Sequence, residues 1–138
     1  MSHGPKVNAK EPALPQKLLL LALAGAAGTL ARYGLGGLVQ SWSGKAFGWG
    51  TVAVNLLGCL VFGLVWSALE DRWATSGETR AIILIGFMGA FTTFSTYMFE
   101  TSQLLRDSQY LPALGYFALH NVVGFAALLA GLWLGELI

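Results

Sequence analysis

Four long apolar stretches, about residues 18–39, 47–69, 81–103 and 111–134, organise the chain. Each holds roughly the 20 residues that cross about 30 Å of hydrocarbon at a rise of about 1.5 Å per residue. The pattern predicts an all-α membrane protein with four transmembrane helices. The joining segments QSWSGKA, EDRWATSGETR and LRDSQY are short and carry most of the remaining charge. Residues 1–16 (MSHGPKVNAKEPALPQ) are polar, have no apolar period and hold three of the four prolines. They read as a disordered tail, with residues 17–138 as one four-span domain. His3 in that tail has no nearby partner for a metal. A cleaved leader is a second reading of the start, because LLLLALAGA follows Lys17 and Ala22-Leu23-Ala24 fits a small-x-small site. Against it, the apolar run continues past the usual core of about 7–15 residues, and the other three spans stand either way.

Composition agrees. Of the 138 residues, 55% are hydrophobic and 11% charged, whereas a soluble domain carries about 25% charged residues. A net charge of +1 implies no polyanionic partner and no nucleic acid. No Rossmann loop, P-loop or Cys/His zinc pattern is present. The single cysteine, Cys59, permits no intrachain disulfide and reads as a small buried hydrophobe.

Charge also bears on orientation. With four spans, both termini and the second loop share one side, which carries Lys17, Arg72 and Arg80 close to the spans. The other side carries Lys45 and Arg106, with Arg32 near the end of the first span. Only Lys6 and Lys10 in the distal tail tip the count, so the positive-inside rule gives almost no instruction. A chain inserted in both directions needs such a weak bias; a bias too small to count reads the same way.

Small residues are abundant, with 18 glycines in the chain. Gly25, Gly28, Gly34, Gly36 and Gly37 lie in the first span, and Ala127, Gly131 and Gly135 recur every four residues in the fourth. Small residues let helix backbones approach in lipid. Some are expected to pack the four helices and others a second subunit, which predicts a homodimer.

Intramembrane polar residues are candidate functional sites. The third span carries the densest set, Gly86-Phe87-Met88-Gly89-Ala90-Phe91-Thr92-Thr93-Phe94-Ser95-Thr96-Tyr97. Glycines and β-branched threonines are poor helix formers, and hydroxyls compete for backbone partners. The span is expected to break mid-membrane near Gly89–Thr93; the plainer alternative is a continuous helix whose hydroxyls bond their own carbonyls. A break frees carbonyls that suit a small cation and N–H groups that suit an anion. Asn55 in the second span either joins helices or offers N–H donors to a pathway. Arg32 either snorkels or charges a vestibule, and Glu100 reads as an interfacial ion-pair partner. His120-Asn121 in the fourth span is read as hydrogen-bonded structure or as a proton relay. Trp42, Trp49, Trp66, Trp73 and Trp133 near the span ends read as an interfacial belt. Phe91, Phe94 and Tyr97 recur every three residues; such stripes pack cores, but an electropositive ring edge can also face a small anion.

Taken together, the chain resembles the small four-span fluoride channels of the CrcB/Fluc type over about residues 20–137. The motifs are Gly25-Ala26-Ala27-Gly28-Thr29-Leu30-Ala31-Arg32-Tyr33, Gly50-Thr51 with Val54-Asn55 and Gly58, and the third-span run ending Thr92-Thr93-Phe94-Ser95-Thr96-Tyr97. The resemblance implies an antiparallel, dual-topology homodimer in the bacterial inner membrane, with two fluoride pores and a structural sodium ion at its centre. By the motif match, Gly89 and Thr92 give that ion backbone carbonyls from both subunits. Phe94 and Tyr97 match the pore aromatics, with Tyr97 standing where phenylalanine is common. Asn55 matches the pore asparagine, and Ser95 and Thr96 the hydroxyl track. In the fourth span, which usually adds hydroxyls to the track, this chain has His120 and Asn121. The implied activity is passive fluoride export, with no enzymatic step.

Two rivals belong to other classes. A small multidrug-resistance-type transporter needs a carboxylate in the first span, and residues 18–40 contain no Asp or Glu. A non-transporting membrane assembly protein has no need of a hydroxyl-rich broken span.

Overall fold

The computed structural model describes residues 13–44, 47–71 and 76–137. The elements in chain order are α1 (Leu14–Ser43), α2 (Trp49–Asp71), α3 (Gly77–Ala81), a π-helical segment π1 (Ile82–Met88), α4 (Gly89–Phe91), α5 (Phe94–Arg106), α6 (Tyr110–Ala118), a second π-helical segment π2 (Leu119–Val123) and α7 (Gly124–Glu136). Four stretches are long and apolar enough to cross a membrane: Leu14–Ser43, Trp49–Leu69, Gly77–Arg106 and Tyr110–Glu136. The four expected spans are therefore present. The tail boundary moves, because α1 begins at Leu14 with Pro15 in its first turn, so residues 14–16 are helical. Proline is tolerated there because the first-turn N–H has no helical partner anyway. Residues 1–12, including His3, lie outside the described residues, as does Trp73 of the expected belt.

Side chains close the helix ends. Gln40, near the end of α1, accepts from the Gly50 N–H at 3.0 Å and donates to the Phe47 carbonyl at 3.0 Å. One amide thus caps the first turn of α2 and fixes the α1–α2 connection. Arg80 donates to the Leu69 carbonyl near the end of α2 at 3.0 Å and lies over the Trp66 ring at 5.4 Å. Lys17 pairs with Glu78 at 3.3 Å, tying the start of α1 to α3.

Close approach at glycine sets the packing. A Cβ at Gly131 would collide with the Leu60 carbonyl, and one at Gly63 with the Leu128 carbonyl, so α2 and α7 lie backbone to backbone. Gly28 of α1 stands likewise against the Phe87 carbonyl of π1. Gly34 and Gly37 have nothing within 4 Å of such a Cβ and leave an open stripe on α1. Two buried clusters result. One gathers Val52, Tyr97, Leu104, Ala113 and Tyr116; the other gathers Val54, Leu84, Met88 and Phe91. Large apolar side chains such as Leu30, Phe125 and Trp133 face outward, as they can where the solvent is hydrocarbon.

Candidate functional site

At Thr92 and Thr93 the backbone leaves helical geometry. Thr92 has φ −84° and ψ 159°, and Thr93 has φ −144° and ψ 110°, both extended. The residues around them explain why the chain holds this shape. The Thr93 N–H, which a continuous helix would give to the Gly89 carbonyl, donates instead to Asn55 Oδ1 at 2.7 Å. Asn55 Nδ2 returns a hydrogen bond to the Thr93 carbonyl at 2.9 Å. One side-chain amide from α2 thus pairs both ways with the extended residue, as a neighbouring strand would. The Thr96 N–H, which would reach the Thr92 carbonyl, goes to Thr93 Oγ1 at 3.3 Å. The carbonyls of Gly89 and Thr92 lose their helical donors by this route. Gly58 of α2 makes room, since a Cβ there would collide with the Thr92 methyl.

The same geometry separates the sequence-predicted residues into groups. Phe94 is 72% exposed and meets the Tyr97 ring in a T-shaped pair, with centroids 5.6 Å apart and planes at 75°. Tyr97 is only 3% exposed. His120 stacks on the Tyr97 ring at 4.2 Å and 17°. Asn121 Nδ2 donates to the Tyr97 hydroxyl at 2.8 Å and to the Phe117 carbonyl at 2.8 Å. His120 and Asn121 therefore join Tyr97 directly, and the hydroxyl of this tyrosine has a built-in partner. Ser95 and Thr96 are exposed beside Phe94, and Thr93 Oγ1 donates to Thr96 Oγ1 at 2.9 Å. Phe91 is not brought to this group: it is buried in the other cluster and stacks on Phe87 at 6.0 Å.

A cavity of about 680 Å³ opens beside the kink. Arg32 of α1 and Glu100 of α5 both line it, with Gln40, Thr51, Thr93, Thr96 and Tyr116. Opposite charges thus share one polar mouth. Tyr116 is fully buried, and its hydroxyl lies against the Glu100 carboxylate and 3.2 Å from the Gly48 carbonyl. Sequence reasoning missed Tyr116 and Thr51. The available signal was a lone tyrosine one turn before His120, and a threonine one turn before Asn55.

Among the described residues no three His, Cys, Asp or Glu side chains converge on one point. Gly89 and Thr92 offer two carbonyl oxygens that lack helical donors. Hard alkali and alkaline-earth cations take such oxygen ligands.

A family profile described as "CrcB-like protein, Camphor Resistance (CrcB)" matches residues 19–132. A protein of Solidesulfovibrio magneticus named "Fluoride-specific ion channel FluC" is 57% identical over 123 residues, covering 89% of this chain and 98% of that one. Proteins of the same name from Nitrosococcus oceani and Desulforapulum autotrophicum are 51% and 48% identical, covering 89% and 91% of this chain and 98% and 100% of their own lengths. With the matched segment running through all four spans and relatives up to 57% identical over nearly their whole length, this chain belongs to the CrcB family.

Proposed function

We propose that the protein is a passive fluoride channel, working as an antiparallel homodimer in the bacterial inner membrane, with two pores and a central sodium ion. The observation that carries this reading is the set of uncharged donors gathered around the Thr92–Thr93 kink, together with relatives named as fluoride-specific channels. Fluoride is small and strongly hydrated, so a path must replace its water with hydrogen-bond donors. Asn55 keeps a second amide N–H beyond the one given to Thr93, α5 begins at Phe94 with the positive end of its dipole, and the Phe94 edge stands beside it. Arg32 and Glu100 shape the mouth without placing a fixed cation at mid-membrane. Such a path holds an anion weakly enough to release it. The chemistry is transport, not catalysis. The break supplies both parts of the proposed mechanism: donors beside it for the anion and carbonyls without helical donors for the cation.

Fluoride efflux from liposomes carrying the purified protein tests the reading. Fast, fluoride-selective efflux is expected, with chloride efflux at the level of empty vesicles; no fluoride efflux from folded protein would overturn it.

In the proposed dimer, the Gly89 and Thr92 carbonyls of both protomers would hold the sodium ion, which would supply a positive charge between the two kinks. Because the backbone provides the ligands, Thr92→Ser is expected to keep the sodium dependence of dimer stability. Gly89→Val is expected to lose it, since a β-branched side chain is added at the kink. Sodium dependence lost in Thr92→Ser would mean coordination by the side chain.

The antiparallel arrangement predicts a labelling result. With Cys59→Ser and Ser2→Cys, a membrane-impermeant thiol reagent is expected to label about half of the chains from outside and the rest only after permeabilisation, because each such dimer has one N-terminus on each side. Nearly all or nearly none would mean a single orientation.

A further inference from the structure

We infer that His120 is a protonation-dependent anion ligand, so that fluoride passage in this protein is faster in acid; this rests on the fluoride reading above. The geometry settles which nitrogen is available. Nδ1 of His120 lies 3.0 Å from the Tyr116 carbonyl, which can only accept, so Nδ1 carries the proton. Nε2 is buried and has no hydrogen-bond partner among the described residues. In the neutral ring Nε2 is therefore a bare lone pair, which repels an anion. In the imidazolium it is an N–H donor, which a small anion satisfies. One side chain thus offers nothing to fluoride when neutral and a charge-assisted donor when protonated.

The surroundings suit both states. His120 lies face to face with Tyr97 at 4.2 Å and meets Tyr116 at 4.5 Å and 64°. A stacked phenol ring accommodates a cation through its electron-rich face. The titratable groups around the ring are Tyr97 and Glu100 on α5, Tyr116 on α6 and Cys59 on α2, which faces Gly124 one turn further along. Glu100 is the acid among them; its carboxylate lies against the Tyr116 hydroxyl, and the Tyr116 ring in turn meets His120. Wide-turned π2 carries the histidine, and such single-turn distortions recur at functional positions. The ring lies against Tyr97, which itself meets Phe94, so it stands beside the aromatic pair that the fluoride reading places on the path. A fixed Lys or Arg at this depth would hold the anion at every pH; a histidine does so only when proton and anion arrive together.

The experiment measures fluoride efflux from liposomes carrying the full chain at equal pH on both sides, at about pH 5.5 and about pH 8, which bracket the ordinary histidine range. Leak of HF through protein-free vesicles is subtracted. Wild-type efflux is expected to be about tenfold faster in acid. His120→Gln places an amide N–H near the Nε2 position with no proton to lose, and should be fast at both pH values. His120→Leu should be slow at both. Equal wild-type efflux at the two pH values, or a pH dependence that survives in His120→Leu, would overturn the inference. The chain has two histidines, so His3→Ala protein reports His120 alone by NMR. At fixed near-neutral pH, sodium fluoride should raise the protonated fraction of that imidazole and sodium chloride should not. A fraction that ignores fluoride overturns the inference even if no variant conducts; absence of efflux at every pH, with the NMR response intact, would instead remove the channel reading.

Discussion

Asn55→Asp is expected to reduce fluoride flux by about 100-fold or more, equivalent to about 2.7 kcal/mol at the barrier. The two Asn55 hydrogen bonds explain the size. Oδ1 accepts from the Thr93 N–H and survives in aspartate, but Nδ2 donates to the Thr93 carbonyl at 2.9 Å, where aspartate would place a carboxylate oxygen against a carbonyl oxygen. The same change puts negative charge on the proposed anion path and removes the second amide N–H that fluoride would use. Asn55→Ser is neutral and too short to reach both Thr93 groups. It leaves one buried carbonyl without its donor, at about 1–3 kcal/mol of stability, and is expected to keep more flux than the aspartate. Efflux is measured on protein that elutes as a dimer, so that misfolding is not counted as lost conduction. Equal flux in the two variants would reduce Asn55 to a clamp that holds the kink.

Phe94→Ile should cost about 100-fold in flux and leave the dimer intact. Phe94 is 72% exposed in the chain, meets Tyr97 in a T-shaped pair and belongs to neither buried cluster. Isoleucine retains apolar bulk and removes the electropositive ring rim that would face fluoride. The loss is therefore expected in efflux and not in the melting temperature or in the elution volume. Normal flux from an assembled Phe94→Ile dimer would mean that the ring only packs.

The contacts that build the site join residues far apart in the chain. Asn55 and Thr93 are 38 positions apart, and Tyr97 and Asn121 are 24 apart. Their pairing is also what divides the sequence-predicted residues. Phe91, Phe94 and Tyr97 form one three-residue stripe in the sequence, but the extended Thr92 and Thr93 turn the chain between the first ring and the other two. Phe91 consequently packs with Met88 and Val54, while Tyr97 packs against α6 and π2 and Phe94 stays exposed beside it.

Span number and approximate position were legible in the sequence because crossing hydrocarbon is a one-dimensional requirement: enough consecutive apolar residues, whatever their partners. Residues 18–39, 47–69, 81–103 and 111–134 met it, and the helix ends differ from these by only a few residues. The family, too, was legible, because Gly25–Tyr33, Gly50–Gly58 and the Thr-Thr-Phe-Ser-Thr run are local patterns. The rotation of each helix was not. Whether Asn55 served as a clamp or a donor could not be read from its own segment, since its partner is the backbone of another span. His120 and Asn121 had no readable place because π2 changes the helical period at those two residues, and only that turn sends one onto the Tyr97 ring and the other onto its hydroxyl. Tyr116 was missed for the same reason: its partners, Glu100 and the Gly48 carbonyl, come from two other segments. Composition decides what lies in the membrane; side-chain hydrogen bonds between spans decide which of those residues meet, because in hydrocarbon a polar group must find its partner within the protein.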